Sequence, residues 1–136
     1  MGSSEEPARS DLHHLFPADS AANTQRSNLP YGETTCLGLG CPWSEGGSER
    51  GLRADGTRAF EVRPAFRGDV ARAQFYFAVR YSMTIDPAVE ATLRAWHAED
   101  PVDLRERQRN ERIRIYQDNR NPFVDRPELV DAITDF

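Results

Sequence analysis

At 136 residues the chain is the length of one domain. Its 38% hydrophobic content against 29% charged residues is polar for a compact fold, so part of it is expected to lie extended over the rest. A formal charge of −5, with all 17 basic residues arginine, excludes a uniformly basic surface and leaves room for a local positive groove. No apolar run approaches a membrane span, and no signal peptide is visible at the N-terminus.

The first predicted element is a short strand over residues 10–16, with Asp11, His13 and His14 set among Leu12, Leu15 and Phe16. Pro17 ends it, having no N–H for a ladder. Asp19 and Ser20 follow as candidate N-caps of a short polar helix. On that helix Asn23 and Arg26 are three apart and share a face, with Asn28 just past its end. Hard cations take oxygen ligands and a guanidinium fits phosphate in a two-pronged fork, so this face suits a divalent metal and a phosphate. The alternative is a solvated helix face with the histidines satisfied inside the strand.

Residues 28–56 are rich in Gly, Ser and Glu and read as a long irregular connection, with Trp43 docking into the core and SEGGSERG solvated. Cys36 and Cys41 are too few for a structural zinc site without other ligands. Gly38 and Gly40 let the chain turn back, which permits a small disulfide loop; free thiols are the alternative. Residues 59–64 alternate as a strand with one buried face.

The spacing then predicts the central core helix over 70–83. Val70, Ala73, Phe77 and Tyr81 form one stripe, Ala71, Phe75 and Val79 an adjoining one, and Arg72 and Arg80 stand near its edge, facing phosphate or carboxylates. Asp86 and Pro87 open a second helix with Val89, Leu93 and Trp96 on its apolar face. His97 follows in its last turn, where a cation suits the helix dipole, and reads as structural.

A third helix, 104–117, is highly charged. Glu106 with Asn110 and Arg107 with Glu111 are placed for i,i+4 pairing, and Leu104, Ile113 and Tyr116 give a narrow apolar seam. Its five arginines are either a solvated surface or, continuing into Asn119, Arg120 and Asn121, the lining of a groove that contacts phosphates without reading bases. Pro122 is expected to end that helix, Phe123 and Val124 to tuck against the core, and Pro127 to open a last short helix carrying Leu129, Val130 and Ile133, with Phe136 closing it off.

Four motifs, DLHHLFPADSAANTQRSN, RGDVARAQFYFAVRY, RNERI and NRNPFVDRPELV, occur in that order, and the sequence from about Ala8 onward resembles the bacterial endonuclease I family. The resemblance implies an α+β fold, mainly helical, with a partial ββα-metal nuclease core. It implies a metal-dependent, largely sequence-nonspecific endonuclease acting on DNA, with RNA left open, and export to the periplasm or the exterior. By the same resemblance Asn23 holds a divalent metal, magnesium being the first choice, and Arg26, Arg120 and Asn121 contact nucleic acid. The family scheme also uses a strand with a Glu-His pair, the His as general base and the Glu as metal ligand. No such pair precedes Ser10, and MGSSEEPA is too short to hold that strand. The chain is therefore expected to be one endonuclease I-like domain, 1–136, that is N-terminally truncated. A noncatalytic remnant that binds nucleic acid weakly or not at all is the alternative reading, and a small disulfide-clipped extracellular module a third.

Overall fold

The computed structural model describes residues 10–13, 24–36 and 40–136. Among these, a small antiparallel sheet precedes a helical body. Strand β1 (Trp43–Glu45) and strand β2 (Ser48–Leu52) form a hairpin whose turn is Gly46-Gly47, with φ of 62° and 90°, a conformation other residues adopt only with strain. Strand β3 (Arg58–Glu61) pairs with β2, giving the order β1-β2-β3. Much of the sheet thus lies inside residues 28–56, which composition marked as irregular. Two glycines between short polar strands are themselves a hairpin signal, and the polar strands hid it. Trp43 stacks on Phe60 at 5.9 Å, which ties the hairpin to the core. The N-terminal segment joins the sheet at Tyr31, which bridges to Phe60 in parallel while Phe60 N–H donates to the Pro30 carbonyl.

β3 is shorter than the expected 59–64, because the Arg63 N–H turns to Ser48 Oγ and Pro64 opens a 3₁₀ turn, Pro64–Phe66. Helix α1 (Arg67–Arg80) follows directly, displaced by three residues toward the N-terminus from the predicted span. Its core contacts are Ala71, Phe75, Tyr76 and Ala78, whereas Val79, expected on a buried stripe, is exposed. Phe75 stacks on Phe136 at 4.4 Å and meets Phe123 edge-on at 6.1 Å. Helix α2 (Pro87–Glu99) is capped by Asp86, whose side chain accepts from Ala88 N–H, and it buries Leu93 and Trp96 completely. Full burial of Phe75 or Leu93 contributes about 1.5–3 kcal/mol each.

Helix α3 (Leu104–Gln117) has the predicted limits, an Asp103 cap and a left-handed Asp118 at its end. Its inner face differs from the expected seam. Leu104 and Tyr116 are 67% and 83% exposed, and the buried positions are Glu106, Asn110 and Ile113. Pro122 does not end this helix. It opens helix α4 (Pro122–Asp125), capped by Asn121, since a proline at the first helical position loses no hydrogen bond. Helix α5 (Leu129–Ala132) buries Val130 and precedes the buried Phe136. The expected strand over 10–16 is not seen in its described part. Residues 10–13 form a turn in which Asp11 Oδ1 accepts His13 N–H at 2.9 Å, so a local side-chain bond replaces strand pairing.

At the entry to α1 the backbone passes close to the end of α2. Gly68 N–H donates to Asp100 Oδ2 at 2.9 Å, and a Cβ on Gly68 would collide with the Asp100 carbonyl oxygen, which is backbone and cannot swing aside. Gly68→Ala should cost about 3 kcal/mol or more, read as a lowered midpoint in thermal unfolding followed by circular dichroism.

Candidate functional site

Two buried polar networks lie along one side of α1, where Asp69, Arg72 and Tyr76 recur at spacings of three and four. The first anchors residues 10–13. Asp11 Oδ2 accepts from the hydroxyls of Tyr76 (2.6 Å) and Tyr81 (2.7 Å), and Oδ1 accepts from Gln117 Nε2 (2.7 Å) as well as from His13 N–H. Burial opposes ionisation of Asp11, yet these hydrogen bonds together hold its carboxyl below the ordinary value. Burial pushes the Tyr76 and Tyr81 phenols up, Tyr81 to about 12, and each also donates to the anionic carboxylate. Leu12 is held at both backbone groups, its N–H by Gln117 Oε1 and its carbonyl by Arg109 Nη2. His13 is buried with Nε2 2.9 Å from the Asn119 carbonyl, so Nε2 carries the hydrogen. Burial also lowers its pKa, and the ring lies 4.9 Å from the Tyr76 ring.

The second network centres on Arg72, which is 0% exposed and stands inside the body, not at the helix edge that its spacing indicated. Its Nε and Nη2 form a fork on Glu106 at 2.8 and 2.7 Å, Nη2 also reaches the Asp100 carbonyl, and Nη1 donates to His97 Nδ1 at 3.0 Å. His97 is therefore an acceptor, and burial followed by the adjacent Arg72 charge lowers its pKa. It is not the dipole-facing cation expected from its place in the last turn. Burial pushes the Glu106 carboxyl up, and the Arg72 fork opposes that shift. Asp69 completes the cluster. Its Oδ1 is buried, has no hydrogen-bond partner among the described residues and lies 3.7 Å from Arg72 Nη2. Burial, with Glu106 and Asp100 nearby, pushes its carboxyl up to about 7.

The residues that sequence reasoning singled out fare differently. Asn23 and His14 lie outside the described residues. Arg26 places its guanidinium 4.4 Å from the Tyr31 ring centroid, with Nε buried and unpartnered among the described residues. Arg120 is exposed and pairs with Glu111 and with Asp125. Asn121 is not available to a nucleic acid. It is buried, its Oδ1 caps α4 and its Nδ2 donates to the Arg72 carbonyl at 3.1 Å, because a helix start buried against α1 needs those bonds made internally. Cys36 and Cys41 are joined in a disulfide with Cα atoms 4.9 Å apart. Tyr76, Tyr81 and Gln117 were missed. Nothing local to them signals a carboxylate 65 to 106 residues away, although a tyrosine on a core helix always needs a partner for its hydroxyl.

The chain belongs to the endonuclease I family, whose model matches residues 1–128. It is 37% identical over 155 residues to an extracellular ribonuclease of Bacillus subtilis (strain 168), covering 98% of this chain and 49% of that protein. It is 38% identical over 145 residues to the extracellular ribonuclease of Bacillus amyloliquefaciens, covering 90% of this chain and 46% of that protein. A periplasmic deoxyribonuclease of Aeromonas hydrophila is 29% identical over 116 residues, 85% of this chain and 47% of its own length. The chain thus spans about half the length of these relatives.

Removing one partner of the buried pair leaves the other charge uncompensated. Glu106→Ala should lower unfolding free energy by about 3–5 kcal/mol in denaturant titration, and Arg72→Met in the same chain should restore much of it. Asp69 gives a pH signature. Its folded carboxyl titrates near 7 against 3.8 for an unperturbed group, so the native state keeps a proton that the unfolded state has released. Its contribution to stability falls as pH rises from about 4 to about 7 and is level above. Asp69→Asn should therefore gain on the wild type across that window, reaching at most about 4 kcal/mol by about pH 8 in unfolding curves.

Proposed function

We propose that this chain acts as a metal-dependent, largely sequence-nonspecific nuclease that hydrolyses phosphodiester bonds of DNA or RNA, and that it works outside the cytoplasm. Family membership and relatives named as an extracellular ribonuclease and a periplasmic deoxyribonuclease support the class. A disulfide between the chain's two cysteines fits an oxidising compartment. No described helix is long and apolar enough to cross a membrane.

The structural observation that carries this reading is the clamp on residues 10–13. Asp11, Leu12 and His13 begin the motif that runs on to Asn23, and each is tied to α1, α3 or the segment after α3, Asp11 and His13 by buried or half-buried hydrogen bonds and Leu12 by exposed ones. A segment with such an anchor is itself held in a fixed place on the body, as positioning catalysis requires. Arg26, and Arg120 once it leaves its carboxylates, are the proposed phosphate contacts. Asn121 holds α4 in place and takes no part.

The family implies a divalent metal, with Asn23 as one contact. Among the described residues the group of possible ligands is Cys36, Cys41 and Glu49, and its two sulfurs are bonded to each other, so these residues do not make the site. A metal at Asn23 would polarise the scissile phosphate. The contribution of the described residues is to place the chain and hold phosphate. The general base and the carboxylate ligand of the family scheme are not assigned to any residue.

A plasmid-nicking assay tests this. With magnesium the chain should convert supercoiled plasmid to open circles, chelator should abolish the activity, and Asn23→Ala should reduce it by about 100-fold while weakening manganese binding measured by calorimetry. Nicking in excess chelator would overturn the metal dependence. Salt-sensitive DNA retention without nicking would assign the chain to the noncatalytic reading.

A further inference from the structure

Along one flank of α3, Arg105, Arg109, Arg112 and Tyr116 recur at spacings of four, three and four, which aligns them in one stripe about 16 Å long. No acid interrupts it. Arg105 and Arg112 are exposed and have no carboxylate partner among the described residues. Arg109 is half-buried, with Nη2 on the Leu12 carbonyl at 2.6 Å, so the stripe runs beside the anchored start of the family motif. At its C-terminal end Tyr116 is 83% exposed and Ile115 65%, an aromatic face and an aliphatic neighbour that nothing in the described body covers.

We propose that this stripe is a track for a single nucleic-acid strand, with Arg105 and Arg112 following the phosphates, Arg109 holding the Leu12 carbonyl between them, and Tyr116 stacking on an unpaired base. The inference rests on the nuclease reading above and adds the form of substrate that reaches the site. Cations in a row on a chain of net charge −5 pick out a polyanion. A π-face among them picks out bases, and bases offer their faces only when unpaired, so a duplex can use the arginines but not Tyr116. The stripe thereby makes Tyr116 a specificity residue favouring unpaired over duplex substrate.

The test is fluorescence anisotropy of the 136-residue chain, with chelator present to stop cleavage. The probes are a labelled oligothymidylate and an abasic oligomer of the same length, which keeps the phosphates and lacks the bases. Tyr116→Ala should weaken binding of oligothymidylate by about 10-fold and leave the abasic oligomer unchanged, whereas Tyr116→Phe should behave as wild type. Arg105→Gln with Arg112→Gln should weaken both probes and flatten the slope of log affinity against log salt by about 0.7 per arginine removed. Equal losses on both probes with Tyr116→Ala, or none, would overturn the proposal. A homodimer in sedimentation that Tyr116→Ala abolishes would also overturn it, assigning the face to a second copy. Plasmid nicking by the wild type with magnesium reads the nuclease assignment separately. Nicking with no Tyr116 effect removes the stacking proposal alone, and a Tyr116 effect with no nicking removes the nuclease assignment alone.

Discussion

The guanidinium of Arg72 has none of its surface in water, and α2, the residue after it and α3 are arranged to satisfy it. Glu106 from α3 takes the fork, His97 from α2 and the Asp100 carbonyl after it each take one further donor, and Asn121 bonds the Arg72 carbonyl from the start of α4. A buried cation with even one donor unpaired is costly, so these partners cannot move independently. The same region demands Gly68 at the start of α1, because Asp100 must come close enough for its carbonyl to serve Arg72 and its carboxylate to cap Gly68 N–H. Packing of α2 on α1, by contrast, is ordinary hydrophobic contact through Leu93 and Trp96.

This division explains how α3 is held at all. Its sequence has little apolar surface, and only Ile113 on it belongs to the buried hydrophobic set. Glu106, Asn110 and Gln117 make the attachments, to Arg72, to residues 121 and 125, and to Asp11. Polar attachment on the inner side leaves the flank with Arg105, Arg112 and Tyr116 exposed, and Arg109 on that flank adds a further tie to the Leu12 carbonyl. The two networks share α1, with Arg72 and Tyr76 one turn apart. Whatever fixes α1 against α3 therefore also fixes residues 10–13, which lead into the family motif.

Helices were the most legible part of the sequence. The limits of α3 and the start of α2 follow from Asp103, Asp86 and Pro87, whose capping chemistry acts over two or three residues and needs no tertiary partner. The apolar anchors Phe75, Leu93 and Trp96 were legible by periodicity. The hairpin around Gly46-Gly47 was less so, because its strands carry Ser, Glu and Arg and lack an alternating apolar face. The candidate site was legible as a motif and obscure as geometry. Asn121 was expected to line a nucleic-acid groove, and only the approach of α1 shows that its donors and acceptors are used inside.

The sequence by itself determined the family, the mainly helical α+β class and the helix signals, because motif order, caps and periodicity are properties of neighbouring residues. Tertiary structure decided what the polar residues do. Asp11, Arg72, Tyr76, Glu106 and Asn121 each have several chemically acceptable roles, and a hydrogen bond's energy depends on burial and on a partner that is distant along the chain. Neither quantity is contained in local spacing, so their assignments as ion pair, clamp and cap appear only once the helices are packed.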